Sequence, residues 1–155
     1  MTWQFAYLAG SLSCVDSSGT RVEFEVRSEA ILDGSYFYYV RPSGHSLPDD
    51  VQFFGCLVPH GMSAFRLEGV VNELPAEYRG LGIMRMLLPF IAQRHSAPVY
   101  SSCADPSRGE TRTESATAVW NRLLREGKAS YDPGEDRYRI EAPALDAASG
   151  SEAGA

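Results

Sequence analysis

The residues able to do chemistry in this sequence are concentrated between Leu74 and Leu88, LPAEYRGLGIMRMLL. A strand pattern ends there, Arg79-Gly80-Leu81-Gly82 follows as a short loop, and a helical pattern begins. The first amides of a helix lack intrahelical partners and sit at the positive end of its dipole. Glycines at such a turn let a phosphate approach the backbone. The segment therefore reads as an anion site, although two glycines at a strand–helix junction can serve the turn alone. Upstream, Glu68 lies on the strand that feeds the loop and shares a face with Val70, Asn72 and Leu74 by alternation, whereas Glu73 faces the other way. Ser101, Ser102 and Cys103 follow a later short strand. Nucleophilic catalysis by them needs a poised histidine, and the sequence pairs none with them. Cys14, Cys56 and Cys103 are odd in number and form no CxxC, and His45, His60 and His95 are far apart. A metal site or disulfide framework is not expected.

The elements that must position this segment change period along the chain. Trp3 to Leu8 is a weak strand candidate. Arg21 to Arg27 alternates Val22, Phe24 and Val26 against charged neighbours, a half-buried strand. Tyr36 to Val40 is an aromatic strand, whose ring cluster either lines an acceptor pocket or fills a sheet covered on both faces. Val51 to Val58 and Ala64 to Leu74 read as further strands. From Gly80 to about Arg94, Ile83, Met84, Leu87, Leu88 and Ile91 form a helical stripe. Pro89 inside it predicts a bend or an interruption at Leu88. Pro98 to Ser102 is a short strand. A second helix runs from about Arg112 to Glu126, with Thr111 and Glu114 at capping-box spacing and Gly127 just past its end. Ala129 to Tyr131 and Arg137 to Ile140 flank Asp132-Pro133-Gly134 as a closing hairpin.

Strands, helix, strand, helix and hairpin give an α+β chain, with one mostly antiparallel sheet, helices packed on it and a β-rich N-terminal half. The 155 residues suit one domain, expected over 1–143. Residues 144–155 hold only Leu145 as a large apolar side chain and are expected to be a disordered tail. Net charge is −6, and none of the 14 cations forms a run, which disfavours general nucleic-acid binding. The longest apolar stretch is broken by Arg85 and Pro89, so no membrane span is expected. The N-terminus lacks a signal-peptide pattern, and a cytoplasmic location follows as an expectation.

Pro75 to Ile83 resembles the acyl-CoA loop of the GNAT superfamily of N-acyltransferases, where a strand leads into a Gln/Arg-x-x-Gly-x-Gly/Ala loop and a helix. Arg79 to Met84 fits, with Met84 where a small residue is usual; a shifted fit, Glu77 to Gly82, restores both glycines but starts on Glu. The resemblance covers about half the chain, Ala64 to Ile140.

It implies a cofactor role for acetyl-CoA or another acyl-CoA, as co-substrate, and no metal. The amides of Leu81, Gly82, Ile83 and Met84 would contact the pyrophosphate, with Arg79 and Gly80 shaping the loop. The amide near Leu74 would polarise the thioester carbonyl. Glu68 would be the general base for the attacking amine. The family's later helix carries a tyrosine that protonates the leaving thiolate; here Trp120 stands in that slot, and Tyr131 is the nearest tyrosine in sequence. Tyr131, another group or solvent would supply the proton, or the protein is not a transferase. The expected function is acyl transfer, acetyl first among the acyl groups, to an amine of a small molecule or peptide. The alternative is a GNAT-fold protein that binds a ligand or partner without transfer, or that turns the cleft to another biosynthetic reaction. A homodimer is left open.

Overall fold

The computed structural model describes residues 3–143. The tail expected at residues 144–155, and with it the expected domain limit, lies outside the described residues. The described chain is α+β: one open sheet of eight strands, mostly antiparallel, with two α-helices. The first five strands run as a meander: β1 (Tyr7–Val15), β2 (Arg21–Ala30), β3 (Tyr36–Pro42), β4 (Phe53–His60) and β5 (Ala64–Asn72). Helix α1 (Ile83–His95) carries the chain back to β6 (Val99–Tyr100). Helix α2 (Glu114–Arg125) then leads to β7 (Ser130–Asp132) and β8 (Arg137–Ile140). The sheet order is β1-β2-β3-β4-β5-β6-β8-β7. The β5–β6 pair alone is parallel, because a helical crossover returns the chain in the same direction.

Period-2 alternation sends Phe24, Val26, Tyr38, Val40 and Phe53 into one core cluster with Leu87, Leu88 and Ile91 of α1 and Trp120 and Leu123 of α2. The strand readings at Arg21, Tyr36, Val51 and Ala64 match β2 to β5 to within a few residues at each end.

Four expectations are corrected. Residues Trp3–Phe5 form a short 3-10 turn, and the strand runs from Tyr7 to Val15. The small residues Ser11 and Ser13 alternate there with buried Leu12 and Cys14, a strand pattern hidden by serines that favour turns locally. Of the two outcomes expected at Pro89, the interruption at Leu88 does not occur: helix α1 is continuous from Ile83 to His95. Six of its residues are buried, and at roughly 1.5–3 kcal/mol for each large side chain their burial outweighs the ~3 kcal/mol of an interior proline. The strand expected at Pro98–Ser102 shrinks to Val99–Tyr100, because its pairing with β5 ends after Phe65–Val99 and Arg66–Tyr100. Helix α2 is capped by Thr113, whose hydroxyl accepts the Ala116 amide at 3.2 Å, and not by Thr111. Its other end closes as expected beside Gly127: the Gly127 amide bonds to the Leu124 carbonyl, and the Lys128 amide to the Leu123 carbonyl, a Schellman motif.

Candidate active site

A cleft opens where β5 and β6 separate. The two strands share two residue pairs and then diverge. Ser102 holds the apex closed, its hydroxyl donating to the Leu67 carbonyl at 2.9 Å. Beyond that point one edge of β5 is free of β6. The Glu73 amide donates to the carbonyl of Gln52, the residue just before β4. Antiparallel ladders alternate, so the amides of Asn72 and Val70 face the other way, into the cleft.

Ladder register shifts within β5. Cys56 pairs with Gly69 and Leu57 with Leu67, which leaves Glu68 as the extra residue of a bulge. Glu68 is exposed, 4.0 Å from the Arg66 guanidinium and 4.0 Å from the Cys56 sulfur. Burial and the Glu68 carboxylate together push the Cys56 thiol up. The bulge carries Glu68 to the wall of an inner compartment of about 230 Å³, shared with Leu67, Val70, Ser102, Arg112 and Trp120.

The outer compartment, about 460 Å³, is walled by the glycine loop. Gly80, Leu81, Gly82, Ile83 and Met84 all line it, opposite Thr113, Ala116 and Val119 of α2. Val70, Met84, Thr113 and Ala116 line both compartments, which makes them one continuous cleft. Gly80 and Gly82 adopt φ of 74° and 81°, the left-handed region where an L side chain is strained. Gly82 is the N-cap of α1 and offers no side chain to the first-turn amides; no acidic residue occupies that turn. The amides of an α-helix N-terminus are thus left for a ligand, at its positive end.

Three residues of the anticipated set stand outside the cleft wall. Arg79 braces the loop from behind, its Nε donating to the Leu74 carbonyl at 2.9 Å. Leu74 is fully buried, and its amide donates to Asn72 Oδ1 at 3.1 Å. The Leu74 amide is therefore already satisfied and is not a free donor. Tyr131 is not among the cleft-lining residues either. It sits on β7, the outermost strand beyond β8, and its hydroxyl donates to Asp136 at 2.7 Å. That bond pushes the phenol pKa up.

Trp120 is 1% exposed and stacks on Tyr138 with centroids 5.8 Å apart. It floors the inner compartment and has no ionisable proton to give there. Around it lies a charged scaffold. Glu110 is bound by both Arg137 nitrogens, approached by Arg66 at 3.4 Å and accepts the Cys103 amide. The Arg137 hydrogen bonds hold its carboxyl down at about 2. Arg112 donates to the carbonyls of Ser102 and Asp136 and to Asp136 Oδ1. The Ala104 amide, then Arg112, hold Asp136 at about 2. These ion pairs fix the β6 side of the cleft.

Sequence reasoning missed Asn72, Thr113, Glu110 and Arg112. The Asn72-Glu73-Leu74-Pro75 run carries an Asx-turn signal, and Thr113 competes with Thr111 for the cap on spacing alone. Nothing local marks Glu110 or Arg112, whose partners lie up to 44 residues away, as Arg66–Glu110 does. Among the described residues, no helix is long and apolar enough to cross a membrane. No protein-family model matches the chain, and no curated protein matches it.

Proposed function

We propose that the chain is a GNAT-like acyltransferase that binds acyl-CoA in the β5–β6 cleft and transfers the acyl group to an amine. The observation that carries this reading is the uncapped N-terminus of α1 behind two left-handed glycines, opening on the free edge of β5. An extended arm can add to that edge by main-chain hydrogen bonds, while its diphosphate meets the amides of Gly82 to Met84. Acyl-CoA would supply the activated thioester. On the protein's side, the Val70 amide would face the carbonyl oxygen as it gains charge. It lies two residues from Glu68, about 7 Å along the strand, whereas Leu74 lies about 20 Å away. Glu68 would take the amine proton directly or through one water.

A second reading, ligand binding without transfer, is favoured by Trp120, which puts no acid at the inner compartment. One titration separates the two. Acetyl-CoA at 100 times its Kd should stabilise the protein by about 2.7 kcal/mol, and Gly82→Glu should abolish the shift. Turnover with an amine panel establishes transfer; a shift without turnover leaves binding alone. No shift with acetyl-, malonyl- or longer acyl-CoA overturns the transferase reading.

A further inference from the structure

The aromatic strand β3 divides its rings between the two faces of the sheet. Tyr36 and Tyr38 turn toward His95 on α1, with the Tyr38 hydroxyl bonded to its Nε2. Phe37 and Tyr39 turn to the face opposite the helices. There Tyr39 pairs with Phe54 and Phe54 with Val71 in the ladder, so a row of apolar side chains crosses β3, β4 and β5. The rings are not coplanar: Phe37 meets Phe54 at 60° with centroids 5.1 Å apart, and Tyr39 meets Phe54 at 52° and 5.4 Å. Phe37 and Phe54 are half-buried and present part of their ring faces, which carry negative quadrupole density, while the buried Tyr39 backs them.

The groove they line holds about 330 Å³ and is completed by Gln52, Val71 and Glu73. Gln52 is 9% exposed, and its Oε1 has no hydrogen-bond partner. Among the described residues, Glu73 forms no ion pair. A second carboxylate, Glu29, touches the Tyr39 hydroxyl at 3.4 Å. Arg27, the ladder partner of Tyr39, is committed elsewhere, to Glu25 at 3.0 Å and over the Trp3 ring at 4.3 Å. The groove therefore joins part-exposed aromatic faces to an unpaired, exposed carboxylate, and among the described residues no cation lines it.

We propose that this groove is a binding site for an organic cation, an alkylated ammonium of a few carbons. The part-exposed faces of Phe37 and Phe54 attract the cation, and the exposed Glu73 carboxylate neutralises it. The site lies across β5 from the cleft, since Val71 and Glu73 alternate with Val70 and Asn72. It stands independently of acyl transfer.

The test is a titration of isotope-labelled full-length protein with tetramethylammonium, against tert-butanol as a neutral probe of similar size. Tetramethylammonium has no transferable hydrogen, so the result is indifferent to transferase activity. The amide signals of Phe37, Gln52, Phe54, Val71 and Glu73 should move saturably with the cation and not with the alcohol. Glu73→Gln and, separately, Phe54→Leu should each weaken binding about 3- to 10-fold, with the dispersed spectrum retained as evidence of folding. Equal binding of both probes, unchanged affinity in both variants, shifts confined to other residues, or no saturable shift each overturn the proposal.

Discussion

Asn72 Oδ1 accepts the amide hydrogen of Leu74 at 3.1 Å. The bond ends β5 and turns the chain toward Pro75. With Arg79 holding the Leu74 carbonyl at 2.9 Å, both polar groups of a fully buried residue are satisfied by side chains of the loop they shape.

Removing that acceptor should therefore loosen the glycine loop. Asn72→Ala should cost about 1–3 kcal/mol, the penalty of an unsatisfied buried amide, while Asn72→Asp, which keeps an acceptor, should recover most of it. Denaturant midpoints of the three proteins check this. Equal midpoints for wild type and Asn72→Ala would show that water replaces the side chain.

Two loop glycines should differ in their tolerance. At Gly80 an added Cβ meets nothing within 4 Å, whereas at Gly82 it meets Arg85 Nε at 3.3 Å. Gly80→Ala should cost only the left-handed backbone penalty, about 1–2 kcal/mol. Gly82→Ala should cost more, because Arg85 must shift while tethered to Glu126 at 3.0 Å. In an Arg85→Ala background the two alanine costs should converge, as measured by thermal or urea unfolding.

Acid should release the scaffold behind the cleft. Glu110 and Asp136 are both held at about 2, against ordinary carboxylate values near ~4. A depressed carboxylate contributes fully above its unfolded value and loses that contribution as pH falls through its folded value. Stability should therefore drop between about pH 4 and pH 2. Glu110→Gln should flatten part of this fall. At neutral pH it should cost on the order of 3 kcal/mol, since it leaves the Arg137 guanidinium without its ion-pair partner. A stability–pH curve for Glu110→Gln that parallels the wild type throughout this window would refute the assignment.

Glu68 tests the transfer chemistry itself. On the acyl-transfer reading, Glu68→Gln should lower turnover by about 10²–10⁴. Higher pH should partly restore it, because a free amine needs no base. The melting temperature should hardly move, since Glu68 is a bulged, exposed residue whose ion pair with Arg66 spans 4.0 Å. Unchanged turnover would reject Glu68 as the base.

Local patterns in the sequence were enough for the α+β class, for β2 to β5 and for α2. Alternation at Val22, Phe24 and Val26 and the spacing of Trp120 and Leu123 are short-range properties of the chain, and burial rewards them wherever the core lies. The glycine loop was legible for the same reason, since its backbone needs are written in Gly80 and Gly82 themselves. Tertiary structure alone decided which amides remain free. The Leu74 amide was taken by Asn72, and the sheet order put Tyr131 on the outermost strand. The same level of organisation carried α1 through Pro89, by the burial of Leu87, Leu88 and Ile91. It also split the cleft from the aromatic groove, because the divergence of β5 from β6 and the bulge at Glu68 depend on pairing partners up to 34 residues apart, as Phe65 and Val99 are. Propensity acts on neighbours in the chain, whereas hydrogen-bond satisfaction and burial act on neighbours in space.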